Sequence, residues 1–168
     1  TFATFTCLLS ILPMAMNQFA VDRAGLTMAL LSPLKDEELL AGKAAGNFLV
    51  TLPPMLVCVV AAALVWPGGS LPLWLSLAPG LLAVYLLVAP VAAISSAVFP
   101  RAVDLNSIGR GSNAHGAAGF IGMIAFFVAG APPLLLVLLA TRGLDRPWLA
   151  PALLLVWCLA AYVIARLL

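Results

Sequence analysis

The chain has 168 residues, of which 64% are hydrophobic and 8% charged, with a formal net charge of +2 and a mean hydropathy of +1.17. A water-soluble domain carries about a quarter charged residues, so this composition excludes one and makes the lipid bilayer the solvent. The bilayer interior leaves backbone groups only helices or a closed barrel, and the unbroken apolar runs lack the alternation of barrel strands, so an all-α, polytopic helical membrane protein is expected.

Runs free of Asp, Glu, Lys and Arg cover 1–21, 44–100, 111–141 and 147–165, and a spanning helix needs roughly 20 mostly apolar residues. The 44–100 run holds two spans, divided at the turn signal Trp66-Pro67-Gly68-Gly69-Ser70. About five spans are therefore predicted in a single transmembrane domain, near 1–20, 45–66, 72–98, 117–140 and 149–166. Arg23, Lys35, Lys43, Arg101, Arg110 and Arg166 fall on one side and only Arg142 and Arg146 on the other, which assigns the loops at 21–44 and 99–116 and the C-terminus to the cytoplasm. The first apolar run opens at Thr1 without a basic leader, so at least one further span is expected ahead of it.

Near the inner end of the first segment, Asn17 and Gln18 read as interface residues or, alternatively, as a polar lining of a pathway. The loop that follows, DRAGLTMALLSPLKDEELLAGK (22–43), holds seven of the fourteen charged residues of the chain. Leu26 and Leu30 share a helical face, with Met28 and Leu31 beside it. Ser32-Pro33 interrupts that helix. A second helix is expected to start at Asp36, whose carboxylate can cap it, with Glu37 and Glu38 favoured in its first turn, and to lead through Leu39, Leu40, Ala44 and Phe48 into the next span. The periodicity alone fits either a connector lying in the headgroup region or an element that docks a cytoplasmic partner.

The order of residues in this loop resembles the cytoplasmic loop between the second and third helices of type-two ATP-binding-cassette permeases. The matching positions are Asp22, Gly25, Leu30, Leu31, Ser32, Pro33, Glu38, Leu39, Leu40, Gly42 and Lys43. The match departs from the family pattern at Asp22, where Glu is more usual, at Leu26, where Thr commonly follows the glycine, and at Ala41, where a bulkier apolar residue is preferred. The resemblance implies that the chain supplies helices two to six of a six-helix permease unit of an exporter. It also implies that 22–43 contains the coupling helix that sits on a separate nucleotide-binding ATPase subunit. In that role Leu26, Leu30 and Leu31 would dock, Ser32-Pro33 would set the bend, and Glu38 and Lys43 would fix the helix at the membrane face. A second permease half, identical or different, would complete the pathway.

Cys7, Cys58 and Cys158 all fall in predicted spans without a CxxC or Cys/His spacing, so they read as small packing residues. Pro13, Pro53-Pro54, Pro79, Pro90, Pro132-Pro133 and Pro151 are each expected to bend a span, and Gly130-Ala131-Pro132-Pro133 is a candidate break of the re-entrant kind that such permeases have after their fifth helix. The second cytoplasmic loop, 99–116, offers Arg101 and Arg110 as further contacts to a partner. Its Ser112 and His115, or Asp104 and His115, suggest a nucleophile–base pair or a metal site only weakly, for want of a third group.

No acidic or basic residue falls in the middle of a span, which disfavours an ion-coupled carrier. The sequence has no GxxxxGK[ST] loop, so ATP and Mg would bind on the partner and no cofactor on this chain. The expected function is thus a multi-pass permease subunit of a bacterial inner membrane, in contact with membrane lipid and not with nucleic acid, and not itself an enzyme. The uncharged spans favour a lipid-like, peptide or apolar cargo over a small ion. The alternatives are an ion-coupled secondary carrier and a membrane-embedded enzyme using the 110–116 loop.

Overall fold

The computed structural model describes residues 9, 12, 15–22, 27, 31, 33–65, 68–101 and 115–168. Its elements in chain order are α1 (Gln18–Asp22), α2 (Asp36–Val65), α3 (Leu71–Val98), α4 (Gly116–Leu138), a π-helical turn (Leu139–Gly143) and α5 (Leu149–Leu167). Among the described residues there is no strand, and four helices are long and apolar enough to cross a membrane: α2, α3, α4 with its π turn, and α5. They coincide with four of the five expected spans. The first, 1–20, is described only at residues 9, 12 and 15–20.

The membrane as solvent is written on the surface. Leu56, Val57 and Leu64 of α2, Phe127 and Val128 of α4, and Val156 of α5 are each more than half exposed, a continuous apolar exterior that water would not support. Inside, α3 is the hub: it packs most extensively against α5, next against α4, and only lightly against α2. Lipid tails are as apolar as leucine, so close van der Waals approach has to hold such helices together, and small residues permit it. The buried positions of α3 include Ser76, Pro79, Ala83, Val88, Ala92 and Ser95, and on α5 the buried Leu154 lies over Gly80 of α3. Phe126 of α4 and Met16 of the first segment fill the space between.

Among the described residues, six prolines sit inside helices beyond the first turn: Pro53 and Pro54 in α2, Pro79 and Pro90 in α3, Pro132 and Pro133 in α4; Pro13 lies outside the described residues. Pro151 does not match the expected bend, because it lies in the first turn of α5, where an N–H would have no helical partner in any case. The expected break at Gly130–Pro133 is displaced as well. Helix α4 runs through it and yields only at Leu139–Gly143, where Leu144 N–H reaches Leu139 C=O at 2.8 Å. Asp145 then takes a left-handed φ of 50°, which Asp tolerates better than most residues, and the chain turns into α5. At the turn before α3, Gly69 is required by contact: a Cβ there would strike the indole of Trp74.

The N-terminus of α2, the C-termini of α3 and α5 and the N-terminus of α4 share one end of the bundle. Phe99 and His115 stack there at 5.8 Å, joining α3 to α4, and Glu37, Ile94 and Arg166 line one cleft. Lys35, Arg101 and Arg166 mark this end, Arg142 and Arg146 the opposite one.

Candidate functional site

The candidate site begins where the chain leaves the first segment. A helical turn closes at Leu31, whose N–H bonds Thr27 C=O at 3.0 Å, and Pro33, Leu34 and Lys35 are non-helical before α2 starts at Asp36. Of the helix, break and second helix expected over 22–43, the described residues show the non-helical stretch at 33–35 and the helix from Asp36, with Thr27 helical ahead of them. The cap differs in one detail from expectation. Asp36 is the first helical residue rather than the cap, and Glu38, two positions further on, reaches back so that its Oε2 accepts Lys35 N–H at 3.1 Å. This is the returning half of a capping box, with three acidic side chains in the first turn against the positive helix end.

The predicted contact residues divide by exposure. Leu31 is 82% exposed and Leu34 55%, and Pro33, Asp36, Glu37 and Glu38 are exposed beside them. Gly42 faces open space, with nothing within 4 Å of the position a Cβ would take. Lys43 is half-buried instead, its Nζ 5.3 Å above the Phe19 ring, so it ties α2 to the first segment by a cation–π contact. Asp22 ends α1. Gly25, Leu26, Met28, Leu30, Ser32, Asp104, Arg110 and Ser112 lie outside the described residues.

Arg101 is exposed, and its backbone is held by Asn17. The Asn17 side-chain amide donates to Arg101 C=O at 3.0 Å and accepts Arg101 N–H at 3.1 Å, while Asn17 itself is fully buried. Phe19 N–H donates to the buried Ser96 Oγ at 3.0 Å. Next to it Asn47 Nδ2 donates to Gln18 Oε1 at 2.7 Å, and Tyr85 O–H donates to Ala44 C=O at 2.6 Å. Asn17 and Gln18 are the centre of a polar strap joining the first segment, α2 and α3, and Gln18 also borders the cleft between these elements.

The strap is what sequence reading missed. Ser96, Asn47 and Tyr85 are isolated polar residues in apolar spans, and only their rarity there signalled a role. His115 also acquires a local task. It caps α4, with Nδ1 accepting Ala117 N–H at 3.2 Å and its ring on Phe99.

The exposed turn leads into α2, which packs only lightly against α3, is tied to the first segment and to α3 through Lys43, Ala44 and Asn47, and buries Met55 further along. Compared with known protein families, curated proteins and solved structures, the chain finds no match.

Proposed function

We propose that this multi-pass membrane protein is the permease subunit of an exporter resembling the type-two ATP-binding-cassette class, driven by ATP hydrolysed on a separate subunit. Residues 1–20 then form the second of six helices, and 21–44 is the coupling loop on the cytoplasmic face of a bacterial inner membrane. The observation that carries the reading is the exposed bend at Leu31–Lys35 followed by an acid-capped helix that continues without interruption into a span. Leu31 and Leu34 are exposed beside three carboxylates, a mixed apolar and acidic surface of the kind that a protein partner can contact.

In this reading closure of paired nucleotide-binding subunits presses on Leu26, Leu30 and Leu31, the Ser32-Pro33 bend transmits the load, and Glu38 keeps the α2 start rigid. Arg101 and Arg110 supply a second contact. The test is a pull-down of the detergent-solubilised protein from its native membrane, wild type against a variant with residues 26–40 scrambled. A nucleotide-binding ATPase is expected with wild type and lost with the variant. Absence of an ATPase from both, or its equal recovery with both, overturns the reading.

A further inference from the structure

Between the first half of α2, the second half of α3 and the end of α5 lies a cleft of about 670 Å³, within the roughly 300–1,000 Å³ of ordinary ligand sites. Its lining is mostly apolar, with small residues such as Ala41 and Ala45 on α2 and Ala89 and Ala93 on α3 between larger ones such as Leu82 and Leu86. Its rim carries one fixed negative and one fixed positive charge. Glu37 stands in the first turn of α2 and Arg166 in the last turn of α5, each at the helix end whose dipole is opposite in sign to its charge. Both are exposed, and neither makes an ion pair or hydrogen bond among the described residues. Opposite charges that border one cleft without closing on each other leave room for a ligand that carries the complementary pair.

We propose that this cleft binds a zwitterionic phospholipid with a primary ammonium headgroup, a phosphoethanolamine lipid. The Glu37 carboxylate accepts from the ammonium, and the Arg166 guanidinium donates a two-point contact to the phosphate. One acyl chain lies along the apolar walls. The apolar lining suits a hydrocarbon chain, which recovers the dispersion contacts that an unfilled void at membrane depth forfeits. A primary ammonium is preferred over a trimethylated one because only the former has N–H groups for the carboxylate. An anionic lipid would leave Glu37 facing like charge. The proposal rests on the chain crossing a bilayer and not on an ATPase partner, so failure of the pull-down leaves it standing.

The experiment is native mass spectrometry of the whole chain in detergent with equal amounts of palmitoyl-oleoyl phosphatidylethanolamine, phosphatidylcholine and phosphatidylglycerol. The ethanolamine lipid is expected to be retained about tenfold over the other two, the effect of one charge-assisted hydrogen bond. Glu37→Gln, an exposed change that leaves folding intact, should erase the preference over choline, and Arg166→Gln should weaken both zwitterionic lipids. Ala93→Leu should reduce retention by filling the wall. Equal retention of all three lipids, a preference for glycerol or choline headgroups, or a preference that survives Glu37→Gln would each overturn the proposal and leave only non-specific lipid around the apolar exterior.

Discussion

At the scale of single residues, the strongest feature is an asparagine that satisfies both backbone groups of a residue 84 positions away. Asn17 has one donor and one acceptor to offer in that geometry, and Arg101 uses both. Asn17→Ala removes two hydrogen bonds and opens a small cavity, so a loss of about 1–2 kcal/mol is expected, moderated by the weak average worth of such bonds in membrane proteins. Asn17→Asp keeps the acceptor but turns a second oxygen toward Arg101 C=O, and it should lower the melting temperature in detergent at least as much as the alanine change. If Asn17→Asp melted like wild type, the two-point grip would be wrong. Trp157 gives the opposite case. Its indole N–H is buried without a hydrogen-bond partner among the described residues, so Trp157→Phe should leave thermal stability unchanged or raise it by up to about 1 kcal/mol. A clear loss would mean that the indole N–H has a partner.

Between elements, α4 closely approaches the first segment at Gly122. A Cβ on Gly122 would stand 2.9 Å from Met16 Cγ and 3.0 Å from its Sδ, and Met16 is fully buried. Gly122→Ala must therefore displace Met16, at a cost of about 1–3 kcal/mol. Met16→Ala alone should destabilise by leaving a cavity, but the double variant should recover part of both losses, with a coupling of about 0.5–3 kcal/mol in a thermal-denaturation cycle. Strict additivity would mean that the two side chains do not meet. This contact also marks where sequence reading stopped. The four long helices were legible because charge-free runs bounded by turn signals leave one solution in a bilayer, and the α2 start was legible because Asp36-Glu37-Glu38 suits a helix N-terminus. Which faces of α3 and α4 turn inward was not legible, because a helix that is apolar all round has no amphipathic stripe to read. The Asn17–Arg101 grip was hidden for another reason: nothing local to either residue points across 84 positions. The cap was assigned to Asp36 because its type fits, while the choice of Glu38 depends on the backbone path through Pro33.

For the molecule as a whole, the arrangement of charge sets which end faces the cytoplasm, and the coupling role depends on that. Helices α2 to α5 alternate in direction, so the exposed bend, the end of α3 and the C-terminus share one face, while the turns before α3 and before α5 share the other. Lys35, Arg101 and Arg166 lie at the first face and Arg142 and Arg146 at the second. An excess of Lys and Arg in short loops keeps those loops on the cytoplasmic side. With the three cysteines replaced by alanine, single cysteines at Ser70 and at Leu168, both exposed, report the two faces. A membrane-impermeant maleimide should label Ser70→Cys in intact cells and Leu168→Cys only after permeabilisation. The reverse pattern would place the Leu31–Lys35 bend outside the cell, where no ATP-hydrolysing subunit can reach it, and the permease reading would fall with the orientation. Labelling of both sites in intact cells would mean that the α3–α5 pair does not cross the bilayer as one parallel unit, although these two helices make the most extensive packing in the fold.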